Sequence, residues 1–122
     1  MITIEGFYFT VSDLKRSVKF YEKLLGIKPS HLEGDRWADF YHGAKHFGLL
    51  CDKNINAHRK IGNNGVLNFR SDDIKRDFEK AKELGARVVY EPCDTPDSPY
   101  EYISFAIEDP DGNLVEIAWY KE

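Results

Sequence analysis

The chain has 122 residues, 42% hydrophobic and 14% aromatic, enough for one compact domain or one duplicated unit with its own core. Its 17 basic and 21 acidic residues give a net charge of -4, which leaves no basic footprint for nucleic acid and no polybasic patch for a membrane surface. Cys51 and Cys93 have no CxxC spacing, no leader pattern precedes the first strand, and no apolar run approaches the ~18 residues of a membrane span, so a cytoplasmic protein with free thiols is expected.

From Ile2 to Val11, Phe7, Phe9 and Val11 alternate with Gly6, Tyr8 and Thr10, the pattern of a half-buried strand. Ser12 or Asp13 then caps a helix whose apolar stripe is Leu14, Val18, Tyr21, Leu24 and Leu25, and Gly26 ends it before Pro29. Arg36 to His42 alternates Trp37, Asp39 and Tyr41 against Ala38, Phe40 and His42. After a turn at Gly43-Ala44, His46 to Cys51 completes a hairpin. Asp52 to Asn64 is polar and lacks sustained periodicity, as a connector does.

The pattern then starts again. Val66 to Arg70 reads as a strand and Ser71 or Asp72 as a cap. Ile74, Phe78, Ala81 and Leu84 form a helical stripe that Gly85 closes, and Arg87 to Glu91 is a further strand. Tyr102 to Glu108 and Leu114 to Tyr120 form a hairpin around Asp109-Pro110-Asp111-Gly112-Asn113. There Pro110 presets φ, Gly112 permits a left-handed backbone, and Asp111 and Asn113 are expected to bond their own backbone. Phe9 to Leu14 aligns with Phe69 to Ile74, and Leu25-Gly26-Ile27 with Leu84-Gly85-Ala86, at a spacing of about 60 residues that is too long for a solenoid repeat. The pattern predicts a duplicated β-α-β-β-β unit, modules 1–52 and 65–122 joined by a connector at 53–64. A helix on one face of each sheet leaves the other face for a ligand.

The ordered set Phe9 to Ser17 running into Phe20-Tyr21 and Leu25-Gly26, then Asp73-Ile74, Leu84-Gly85, Glu91-Pro92, Asp94-Thr95-Pro96 and Asp109 to Asn113, resembles the vicinal oxygen chelate superfamily of glyoxalases, bleomycin resistance proteins and extradiol dioxygenases. The resemblance covers essentially the whole chain. It implies an α+β fold of two such modules forming a cup-shaped mixed sheet with the helices outside, assembled as a homodimer or with modules swapped within one. It leaves activity open, because one fold hosts isomerases, lyases, oxygenases, thiol transferases and drug-sequestering proteins.

In metal-dependent relatives the resemblance implies a His on the first strand of each half and an acidic residue on the last, imidazole and carboxylate ligands that let an ion polarise two vicinal oxygens. Here the first-strand positions are Gly6 and Val66, and the last strand of the first half offers no carboxylate. Glu116 is the only matching ligand position. A rearranged site from His42, His46 and Glu116 is the alternative, with both histidines expected at an exposed hairpin rim; His31 and His58 fall in loops.

Strand alternation sends Gly6, Tyr8, Thr10, Val66, Asn68 and Arg70 to the face away from the helices, together with Tyr102, Ser104, Ala106, Leu114, Glu116 and Ala118. The expected ligand-binding residues are Glu116, Arg70, Tyr8, Asn68, Trp37, Tyr41, Tyr102 and Ser104, with Trp37 free to face either way and Trp119 on the helix side. Glu116 either orients a ligand with Arg70 or forms an internal ion pair with it. The leading expectation is a metal-free protein that binds a small organic molecule, drug or metabolite, without a cofactor. The alternative is a glyoxalase-type lyase, isomerase or dioxygenase with an atypical divalent metal site.

Overall fold

In the first half, the alternation that begins at Gly6 becomes strand β1 (Gly6–Thr10), followed by helix α1 (Leu14–Leu25) and strands β2 (His31–Glu33), β3 (Trp37–Phe40) and β4 (His46–Leu50). The computed structural model describes residues 1, 5–41, 45–52, 61–62, 65–94 and 101–121, and its chain divides into two units, Met1–Asn64 and Gly65–Glu122. In the first unit the strands lie in the order β1-β4-β3-β2, with β1 parallel to β4 and the other pairs antiparallel. Asp13 caps α1 by accepting from the Arg16 N–H at 3.1 Å, and Gly26 ends it at φ 72°, a left-handed conformation natural to glycine. The buried stripe Leu14, Val18, Tyr21 and Leu24 packs onto Phe9, Phe40, Phe47 and Leu49. Each such large side chain contributes about 1.5–3 kcal/mol by leaving water.

The second unit repeats the plan with β5 (Val66–Arg70), α2 (Ile74–Glu83), β6 (Arg87–Asp94), β7 (Tyr102–Glu108) and β8 (Leu114–Tyr120), in the order β5-β8-β7-β6. Phe78 and Ala81 of α2 sit over buried Phe105, Ile107, Val115 and Ile117, with Phe78 and Phe105 ring centroids 5.2 Å apart. Among the described residues the architecture is therefore α+β: two four-stranded mixed sheets, each with one helix and the same strand order.

Several local expectations change. The cap of α2 is Asp73, which accepts from the Arg76 N–H at 3.1 Å; Asp73 is the repeat counterpart of Asp13, while Ser71 is buried and donates to Asp77. In the β7–β8 turn the Asp109 carboxylate binds the turn backbone, and the Asn113 side chain donates to that carboxylate rather than to its own backbone. Asp109 Oδ1 accepts from the Asp111 and Asn113 N–H groups at 2.9 and 2.8 Å, its Oδ2 accepts from Asn113 Nδ2 at 2.9 Å, and Gly112 takes φ 81°. His31 belongs to an edge strand rather than a loop. Strand β3 stops at Phe40, because Tyr41 turns the chain at φ 59°. Strand β6 continues past Glu91 to Asp94 with two register shifts, and it carries Pro92 because an edge strand tolerates a missing N–H. His42, Gly43-Ala44, most of the connector with His58, and Thr95 to Tyr100 lie outside the described residues.

Candidate functional site

The pleat fixes what each sheet shows on the face opposite its helix. In the first sheet, Phe7, Phe9, Phe47 and Leu49 point to the α1 side, so the far face presents Gly6 and Tyr8 from β1, His46 and Gly48 from β4, and Trp37 and Asp39 from β3. Trp37, whose direction the sequence leaves open, lies on this face. Its six-membered ring fills the space above Gly48, where an added Cβ would stand 2.3 Å from Cη2. Its indole N–H donates to Asp39 Oδ2 at 2.8 Å, which fixes the ring in place. Tyr8 stands at 77° to the indole with centroids 5.5 Å apart, and His46 stands at 84° at 6.1 Å.

His46 is no exposed rim residue: its side chain is 20% accessible and its Nδ1 lies 3.8 Å from Glu5 Oε2. The imidazole occupies the place of a side chain at position 6, since a Cβ there would come within 2.9 Å of its Cε1 and Nε2.

The far face of the second sheet is polar instead. Asn68 pairs in register with Glu116, and Ala106 bridges Glu116 to Tyr90, so one row across four strands brings these side chains together. Glu116 Oε1 accepts from Asn68 Nδ2 at 2.6 Å, Glu116 Oε2 accepts from the Tyr90 hydroxyl at 3.1 Å, and Ser104 Oγ is 3.3 Å from that hydroxyl. Burial pushes the Tyr90 phenol above its ordinary value; the hydrogen bond with Ser104 opposes the shift and the Glu116 carboxylate reinforces it. Arg70 is one pleat further along, opposite Ala118, and its guanidinium lies 4.9 Å over the Tyr120 ring. The expected Glu116–Arg70 ion pair is thus replaced by an amide and a phenol, because the register sets Asn68, not Arg70, beside the carboxylate. Arg70 and Tyr120 also line a cavity of about 380 Å³ with Ser71, Asp72 and Trp119.

Of the expected site residues, the structure joins Tyr8 to Trp37, joins Asn68 to Glu116 directly and Ser104 to it through Tyr90, and sets Tyr102 5.4 Å from Tyr120. Tyr41 stands apart, exposed, beyond the end of β3. Sequence reasoning missed Tyr90 and gave Asp39 no role, although Asp39 shares the alternation phase of Trp37.

The residues do not fit the four-ligand metal set that the resemblance implies. The repeat places Tyr8 and Gly48 where the second half has Asn68 and Glu116, so the first sheet offers no donor at the carboxylate position. At the first-strand positions stand Gly6, whose side-chain space His46 fills, and Val66. Both Glu116 oxygens already accept hydrogen bonds, and among the described residues no three His, Cys, Asp or Glu side chains stand together. Cys51 and Cys93 are both free thiols. No described helix is long and apolar enough to cross a membrane.

The family model of the glyoxalase/bleomycin resistance protein/dioxygenase superfamily matches residues 3–117. Virulence protein STM3117 of Salmonella typhimurium is 30% identical over 121 residues, covering 96% of this chain and 83% of that protein. Its crystal structure superposes with a TM-score of 0.77 at 27% identity, over 99% of this chain and 98% of that one. The uncharacterised protein YraH of Bacillus subtilis is 30% identical over 117 residues, 88% of this chain and 90% of its own. A lactoylglutathione lyase from Agrobacterium tumefaciens shares the fold with a TM-score of 0.75 at 23% identity, over 96% of this chain and 92% of that one.

Proposed function

This chain belongs to the glyoxalase/bleomycin resistance protein/dioxygenase superfamily, and we propose that within it the chain is a metal-independent binding protein for a small, flat organic molecule, a drug or metabolite. The protein works as a cytoplasmic homodimer of the bleomycin-resistance type. One observation carries this reading: at the positions where the family pattern has metal ligands, the first sheet has two glycines, and the space above them is filled by the His46 imidazole and the Trp37 indole. Packed rings stand where the pattern has ligand side chains, and the His46 imidazole has no two further His, Cys, Asp or Glu partners among the described residues with which to hold an ion. A half-buried indole pinned by a carboxylate, with a tyrosine and a histidine beside it, offers a flat ligand stacking area at little cost in side-chain ordering.

The test uses a Trp119→Phe background, in which Trp37 is the single tryptophan. Indole fluorescence is followed while a panel of planar compounds is added, with and without EDTA. Saturable quenching that EDTA leaves unchanged supports the reading; binding that appears only with a divalent ion overturns it.

A second reading, a metal-dependent lyase, isomerase or dioxygenase, rests on Glu116 alone. It requires the carboxylate to exchange its Asn68 and Tyr90 donors for an ion, so Glu116→Gln would abolish any metal-stimulated turnover.

A further inference from the structure

We infer that the ligand of the first sheet's far face is a small organic cation, a quaternary ammonium or a protonated amine attached to an apolar group. This deepens the binding reading above and rests on it. The Trp37 ring lies against the backbone at Gly48, and two rings rise beside it at nearly a right angle, Tyr8 at 77° and His46 at 84°. A Trp floor with aromatic walls is a geometry that attracts cations through the negative faces of the rings. The indole N–H donates to a carboxylate, which pushes electron density back into the ring and strengthens that attraction.

Charge points the same way. Asp39 is half-buried and its carboxylate is met by a neutral donor, the Trp37 N–H, so its negative charge stands at the edge of the floor. Glu33 is the cross-strand partner of Trp37 and shares its face. Arg36 lies 3.7 Å from Glu33 but makes its shorter contact, 2.8 Å, with Asp52. Glu5 stands 3.8 Å from His46 at the opposite wall. A neutral flat molecule would gain the stacking and leave this field unused, whereas a cation gains both.

The experiment titrates the Trp119→Phe protein with benzyltrimethylammonium and with its neutral isostere neopentylbenzene, reading Trp37 fluorescence and the indole N–H resonance. The cation is expected to bind at least tenfold more tightly. Asp39→Asn removes the charge but keeps an oxygen for the indole N–H, so it should weaken the cation far more than neopentylbenzene and bring the two affinities to within about threefold of each other. Trp37→Ala, followed by isothermal titration calorimetry because no tryptophan remains to report, should abolish both, with the thermal transition checking that each variant is folded. Equal or tighter binding of the neutral isostere overturns the cation assignment and leaves the binding reading standing. If neither probe nor any member of the planar panel moves the Trp37 signals, both fail together.

Discussion

Gly48→Ala probes the aromatic floor from beneath. The residue lies within β4 and its φ is not in the left-handed region, so the backbone accepts alanine; by itself the change would stabilise the strand by about 0.5–1 kcal/mol. The new methyl, however, would stand 2.3 Å from Trp37 Cη2 and 2.6 Å from Cζ2, and the indole must retreat by about an ångström to reach ordinary contact. That movement breaks the 2.8 Å bond from the indole N–H to Asp39, worth about 1.5 kcal/mol at a half-exposed charged acceptor. It also disturbs the edge contacts with Tyr8 and His46, worth about 0.5–1.5 kcal/mol together. Gly48→Ala should therefore destabilise the protein by about 2 kcal/mol and lower its melting temperature by about 8 °C. In a Trp37→Ala background the obstruction is gone, and the same substitution should be neutral or slightly stabilising. Urea unfolding of the four proteins gives the coupling free energy directly. An equal cost in both backgrounds would refute the placement of the indole over Gly48.

Asp109→Ala removes a buried carboxylate that accepts three hydrogen bonds in the β7–β8 turn, and should cost about 3–4 kcal/mol in urea unfolding; a cost under about 1 kcal/mol would contradict that role. Burial alone would raise the Asp77 carboxyl, but hydrogen bonds from Arg76 and Ser71 outweigh it and hold the group below its ordinary 3.8. The folded group thus releases its proton at lower pH than the unfolded one, so its stabilisation is full above about pH 5 and is lost as acid titrates it. The acid limb of the stability profile should flatten in Asp77→Asn. Tyr90 shifts the opposite way: its phenol is raised by burial, aided by Glu116, so the unfolded chain ionises first and the fold loses stability as pH rises above 10. Phenolate absorbance in Glu116→Gln should show Tyr90 titrating at lower pH than in the parent.

The fold is legible in the sequence wherever periodicity and a stop signal coincide. The stripe Leu14, Val18, Tyr21 and Leu24 with Gly26 behind it, and its repeat with Gly85, specify both helices, and the alternation about Phe105 and Ile117 specifies the central hairpin. Strand β2 escapes because three exposed edge residues carry no alternation that differs from a loop. Tyr90 escapes for a different reason. The two register shifts in β6 break the period of 2, so counting along Arg87 to Asp94 does not say which face the phenol reaches. Tyr8, Asn68, Ser104 and Glu116 lie on unbroken strands, and counting places them on the predicted face. That Trp37 lies over a glycine, and that His46 fills the space of another, depends on side-chain direction across strands, which one-dimensional spacing does not encode.

Native mass spectrometry of protein purified without added metal or chelator, repeated after excess nickel and zinc, tests metal independence most directly. The expected result is a dimer mass with no stoichiometric divalent ion in either sample and an intact capacity to take up an organic ligand. One tightly held divalent ion per chain would contradict it and make Glu116 the first residue to substitute.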